Sequence, residues 1–133
     1  LQAQAMDLLK SNKPEEALKL QEQAVSIDTY NFESNVWLGN FYFLQGKDRR
    51  SVTDKKYEAI QQPTRMQTAS YMEELKAIYN NYFFKAEPYL KKSLELRNND
   101  YVLKLLESID LFRIRIGIET AQEKKDKKKL LKD

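Results

Sequence analysis

The chain has 133 residues, 41% hydrophobic and 32% charged, which is enough apolar material for one domain with a core. It contains no cysteine and no histidine, which excludes disulfides and thiolate chemistry and removes the commonest metal ligand and general base. Its 23 basic and 20 acidic residues leave a net charge of +3, a mixed surface that gives no ground for a nucleic-acid partner.

Three glycines and three prolines leave few breaks, which favours long helices. No apolar run approaches the roughly 18 residues that a membrane-spanning helix needs, so no membrane insertion is expected. No signal peptide is visible. The chain opens at Leu1 inside a helical pattern, so residues upstream of it are expected.

Residues 1 to 10 read as a helix with Ala5, Leu8 and Leu9 on its apolar side, ended by the turn Ser11-Asn12-Lys13. Pro14 suits the first turn of a second helix, where its missing N–H does no harm, and Glu15 and Glu16 suit that helix's positive end. Ala17, Leu20, Ala24 and Ile27 give it an apolar face. After a connector from Asp28 to Asn31 comes the stretch that organises the chain, Asn35 to Gly46. Read as a helix, it stacks Leu38, Tyr42 and Trp37 around a bare spot at Gly39. A glycine inside a helix is destabilising, so a second helix pressed close at Gly39 is expected.

Two readings compete for the next part. In the first, 51–62 and 66–81 form a further repeat junction closed by Pro63. That would bury Lys55, Glu58 and Glu73 unpaired, at several kcal/mol each in order of magnitude. In the preferred reading, the Trp37 helix continues through Gly46 to about Gln62, and Pro63-Thr64-Arg65 turns the chain. A long helix, capped by Thr64, then returns from about Met66 to Leu96. Met66, Ala69, Met72, Leu75, Ile78, Tyr79 and Tyr82 would form its seam against Val52, Tyr57 and Ile60. About 17 added residues per arm would project roughly 25 Å. Pro88 then lies inside the returning helix and should kink it. Asn98-Asn99-Asp100 caps a final helix with two apolar faces. One carries Val102, Leu105, Leu106, Ile109, Phe112 and Ile116, the other Leu103, Leu111, Ile114 and Ile118, so cover on two sides is expected. Over 112–116 the alternation makes a strand the local rival. Gly117 suits a break, and Glu119 to Asp133 reads as a solvated, lysine-rich helix.

The pieces also compare with one another. Ala5 and Gly39, Leu8 and Tyr42, Asn12 and Gly46 are each 34 residues apart. Ala17-x6-Ala24-x2-Ile27 recurs as Ala86-x6-Ser93-x2-Leu96 after 69 residues, and Ser108 lies 69 after Gly39. With Leu38-Gly39-x2-Tyr42-x3-Gly46 and the segment Lys85-Ala86-Glu87-Pro88-Tyr89-Leu90, the chain resembles the tetratricopeptide repeat family outside 47–83. Thr29 and Asn98 stand where that family usually closes with proline, and Trp37 is off its usual tryptophan position.

The resemblance implies an all-α helical-hairpin solenoid with three helix pairs, the middle one elongated: 1–28, 32–97 and 100–133 of a single domain. It implies a non-catalytic scaffold that holds a peptide or partner helix in an apolar concave groove. Carried over by spacing, the groove residues are Met6 and Leu9, then Glu33, Val36, Asn40, Phe43 and Leu44, then Val102, Leu105, Ile109 and Phe112. The same stripe is open to being internal core instead. The alternative function is a self-associating module with the long hairpin as its dimer contact. On the resemblance alone, the bacterial cell envelope is favoured over the cytoplasm.

Catalysis has little support, and no cofactor or metal is expected. Glu15, Glu16, Glu73, Glu74 and Glu87 read as solvated helix face, and Asp110 as an ion-pair partner of Arg113. The basic clusters Lys47, Arg49, Arg50, Lys55, Lys56 and Lys124, Lys125, Lys127, Lys128, Lys129 have no interleaved aromatic residues, and they too read as solvated face.

Overall fold

The computed structural model describes residues 14–132, without the side chains of Ala121 and Lys132, and no strand occurs among them. The predicted helix over 1–10 lies outside the described residues. The helices are α1 (Pro14–Ile27), α2 (Phe32–Glu58), α3 (Arg65–Ile78), α4 (Phe84–Leu96), α5 (Asp100–Arg115) and α6 (Ala121–Lys132), with a π turn (Tyr79–Phe83) joining α3 to α4.

Local chemistry sets the boundaries. Pro14 begins α1, followed by Glu15 and Glu16 in its first turn. Asn31 caps α2 by accepting from the Ser34 N–H at 3.0 Å. The connector before α2 is tied down by Asn35. Its buried amide donates to the Thr29 carbonyl at 2.9 Å and the Asn31 carbonyl at 2.8 Å. α2 runs unbroken through Gly46 for 27 residues, a rod of about 40 Å. At the far end Thr64 and Gln67 form a capping box that starts α3. Thr64→Ala is expected to lower stability by about 1 kcal/mol. The loss should show as faster amide exchange at the tip before any change at the base.

From the tip the chain returns along α2. Tyr57 stacks on Tyr71 with ring centroids 4.1 Å apart, Phe43 meets Phe83 edge-on at 5.5 Å, and Tyr42 stacks on Tyr89 at 6.1 Å. These pairs hold one antiparallel register from tip to base. Two glycines make the approach possible. A Cβ on Gly39 would lie 2.6 Å from Leu90 Cγ and 3.3 Å from the Leu90 nitrogen. A Cβ on Gly46 would lie 2.9 Å from Phe83 Cζ and 3.0 Å from Tyr82 Cβ. The small residues Ala17, Ala24, Ala86 and Ser93 are buried as the pattern requires, but Ser108 is exposed and is no counterpart of Gly39.

The seam differs in part from the expected one. Leu75, Ile78 and Tyr79 are buried, but Met66 is 81% and Val52 57% exposed. Near the tip the expected Tyr57 does make the contact, but its partner is Tyr71, whose hydroxyl is held by Asp54. α4 continues through Pro88, and the irregular part of the returning rod is the π turn, which ends five residues before it and where the Phe84 N–H bonds the Tyr79 carbonyl. Over 112–115 the chain is helical, not extended. The core joins the returning rod (Leu75, Ile78, Tyr79, Phe83, Ala86, Leu90) to α5 (Val102, Leu105, Ile109, Phe112), with Ile116 just beyond it. Val36, Tyr42 and Phe43 of α2 pack against it.

Candidate functional site

The expected groove residues come together, but mostly inside the molecule. Met6 and Leu9 lie outside the described residues. On α2, Val36 and Phe43 are half-buried against the core, Asn40 is half-buried, and Leu44 is 43% exposed; Glu33 faces solvent. On α5, Val102, Leu105, Ile109 and Phe112 are buried in the core. Those four therefore do not line an open groove. α5 lies against α2 and the returning rod by this face, so of the two alternatives for the stripe its α5 part is internal core. The second apolar face of α5, expected to be covered, is the open one: Leu103, Leu111 and Ile114 are exposed. Periodicity marks both faces as apolar but does not say which has a neighbour.

What remains accessible is the seam where α2 and α5 meet. At one end the Tyr101 hydroxyl donates to Asn40 Oδ1 at 2.5 Å. Ten residues further along α2, the Arg50 guanidinium sits 4.5 Å over the Phe112 ring and pairs with Asp54 at 3.5 Å. Both contacts advance along the two helices in the same direction, so α5 runs parallel with α2. Phe112 in turn meets Phe83 edge-on at 5.2 Å, which ties this end of the seam to the π turn.

Polar anchoring continues beyond Arg50. The Tyr71 hydroxyl donates to Asp54 Oδ1 at 2.5 Å. Burial, followed by that bond, pushes the Tyr71 phenol up to about 12, so it stays protonated and the carboxylate stays its acceptor. A cleft of about 370 Å³ opens nearby between α2 and α3, lined in part by Thr53, Tyr57, Ile60, Met66 and Tyr71. Further along the rod, Glu87 is not a solvated surface residue. Its side chain is 15% exposed, and it accepts from the buried Tyr79 hydroxyl at 2.8 Å. Burial first, then this bond, raises the Tyr79 pKa.

Asp110 and Arg113 lie 3.7 Å apart, as expected. The stronger partner, which spacing alone did not suggest, is Glu123, which accepts from buried Arg113 at 2.8 Å. The bond to Arg113, then one from the Thr120 backbone, holds the Glu123 carboxyl below its ordinary pKa. Tyr101 was also missed. Its only sequence signal is its place just inside a capped helix start. Among the described residues, no group of acidic side chains is arranged to hold a metal ion, and no helix is long and apolar enough to cross a membrane.

No protein-family model matches the chain, and no curated protein matches it at a significant level. Among solved structures it is similar to one described as a "putative protein binding protein" from Bacteroides ovatus ATCC 8483, with 23% sequence identity and a TM-score of 0.79. The match covers 85% of this chain and 55% of that one, so the chain spans about half that protein's length. At this identity the likeness establishes the all-helical fold alone.

Proposed function

We propose that this chain is a non-catalytic protein-binding scaffold of the tetratricopeptide-like kind, and that its contact line is the exposed part of the α2–α5 seam. The observation that carries the reading is the makeup of that seam. Leu44, one turn past Asn40, and Tyr101, which bonds Asn40, are 43% and 50% exposed, and Arg50 is fixed on Phe112 further along. Aromatic and arginine side chains held rigid beneath an apolar neighbour are the usual anchors of protein interfaces. The four buried α5 residues then support the seam from beneath instead of lining it. The antiparallel closure of α2 on α4 at Gly39, with α5 parallel to α2, supports the repeat reading. The described solved structure, by its name a protein-binding one, agrees with this role.

The test is to pan a random peptide library on the folded chain and to titrate the enriched peptides. They are expected to carry an apolar anchor and to bind Leu44→Asp at least tenfold more weakly, with unchanged circular dichroism. Peptides that bind the variant equally well would remove the seam from the proposal. A second reading, self-association through the hairpin arm, draws on exposed Met66 and Val52. A monomeric mass by light scattering at high concentration removes it.

A further inference from the structure

The outer edge of α5 and the far end of α6 are both apolar and both exposed. On α5 these are Leu103 and Ile114, 46% and 61% exposed, with Leu106 half-buried beside them. On α6 they are Leu130 and Leu131, 77% and 81% exposed, and every residue from Gln122 to Leu131 faces solvent. α6 is nevertheless fastened to α5 at its first turn, because Arg113 Nη1 donates both to Glu123 at 2.8 Å and to the Ile118 carbonyl at 2.9 Å.

We infer that α6 is a strap that pivots at the Arg113–Glu123 anchor and closes down along the outer edge of α5. The register is set by that anchor. In an antiparallel pair that starts with Glu123 opposite Arg113, each step along one helix matches one step back along the other. Seven residues on, two full turns and on the same face as Glu123, stands Leu130. Seven residues back, on the same face as Arg113, stands Leu106, with Leu103 one turn beyond. Closure therefore brings the exposed leucines of both helices together.

Between those ends one pair of opposite charges comes together. Lys127, one turn past Glu123 and on its face, comes within one residue of Asp110, which lies one turn before Arg113. Their present partners hold them weakly. Lys127 pairs with Glu119 at 3.4 Å and Asp110 with Arg113 at 3.7 Å, and Lys127, Glu119 and Asp110 are all exposed. Exchanging these for the closed pair costs little. The connector allows the movement: residues 118–120 are non-helical, and Gly117, with a φ of 77°, ends α5 without strain. Closed, the strap covers Leu103 and Leu106; open, it leaves that edge to another occupant.

The chain has no native cysteine, so a cysteine pair reports closure directly. Asp110→Cys with Lys127→Cys replaces two exposed side chains and leaves the core intact. A disulfide requires Cα atoms within roughly 7 Å, which the closed strap provides. Mild oxidation should give an intramolecular disulfide in the monomer, seen as a mobility shift reversed by reductant. Adding Glu123→Ala should slow its formation at least fivefold. Moving the second cysteine to Lys128, which the closed register turns away from α5, should slow it similarly. Free thiols, disulfide-linked dimers, or indifference to Glu123→Ala would each overturn the proposal, and none of them bears on the α2–α5 seam.

Discussion

Leu90→Ala is expected to lower the stability of the fold by about 3 kcal/mol, and Gly39→Ala by about 1 kcal/mol, but the two together by less than their sum. Leu90 is fully buried, and truncating such a leucine costs roughly 2–5 kcal/mol through lost transfer energy and the cavity left behind. The Gly39 estimate is a balance of two effects. Alanine gains roughly 1 kcal/mol over glycine inside a helix. Against that, its Cβ would fall 2.6 Å from Leu90 Cγ, and overpacking of this kind costs about 1–3 kcal/mol. With Leu90 shortened, that clash is gone and the added methyl fills part of the new cavity. Urea denaturation of the four members of a double-mutant cycle measures the coupling, expected at about 1–2 kcal/mol. Strict additivity would mean that something other than Leu90 demands glycine at position 39.

That close approach was legible in the sequence because a glycine is costly inside a helix and the small-residue spacing pointed to its partner. The hairpin tip was legible for a similar reason, since Thr64 has the side chain a helix start needs. The seam near the tip was less so. Periodicity favoured Met66 and Val52 along with Tyr57, but Tyr57 stacks face to face at 4.1 Å on Tyr71, which the pattern passed over, and Met66 and Val52 stay exposed. A hydrophobic count does not register that a tyrosine can bury its ring while Thr68 or Asp54 takes its hydroxyl. Position of the groove was the least legible feature. α5 offers an apolar stripe on each of two faces, and only the docked neighbour decides which becomes core.

Phe112→Ala should therefore behave as a core truncation and not as a loss of binding surface. Phe112 is 3% exposed, lies edge-on to Phe83, and carries the Arg50 guanidinium on its outer face. Removing the ring should cost about 3–5 kcal/mol. A domain of this size has on the order of 5–15 kcal/mol in total, so the variant should melt at least 10 °C lower. Arg50 would lose its aromatic platform and keep only its half-exposed pair with Asp54. α5 should then loosen from the hairpin before the hairpin itself opens, because α2 and α4 close directly on each other at Gly39 and Leu90. Hydrogen exchange separates the two events: α5 amides should lose protection first, with those of 35–46 and 86–93 following at higher denaturant. Simultaneous loss in both regions would show that α5 and the hairpin fold as one unit. The same substitution would also weaken partner binding, but only by way of the fold. Leu44→Asp is thus the change that tests the seam, because it leaves every buried contact of α5 in place.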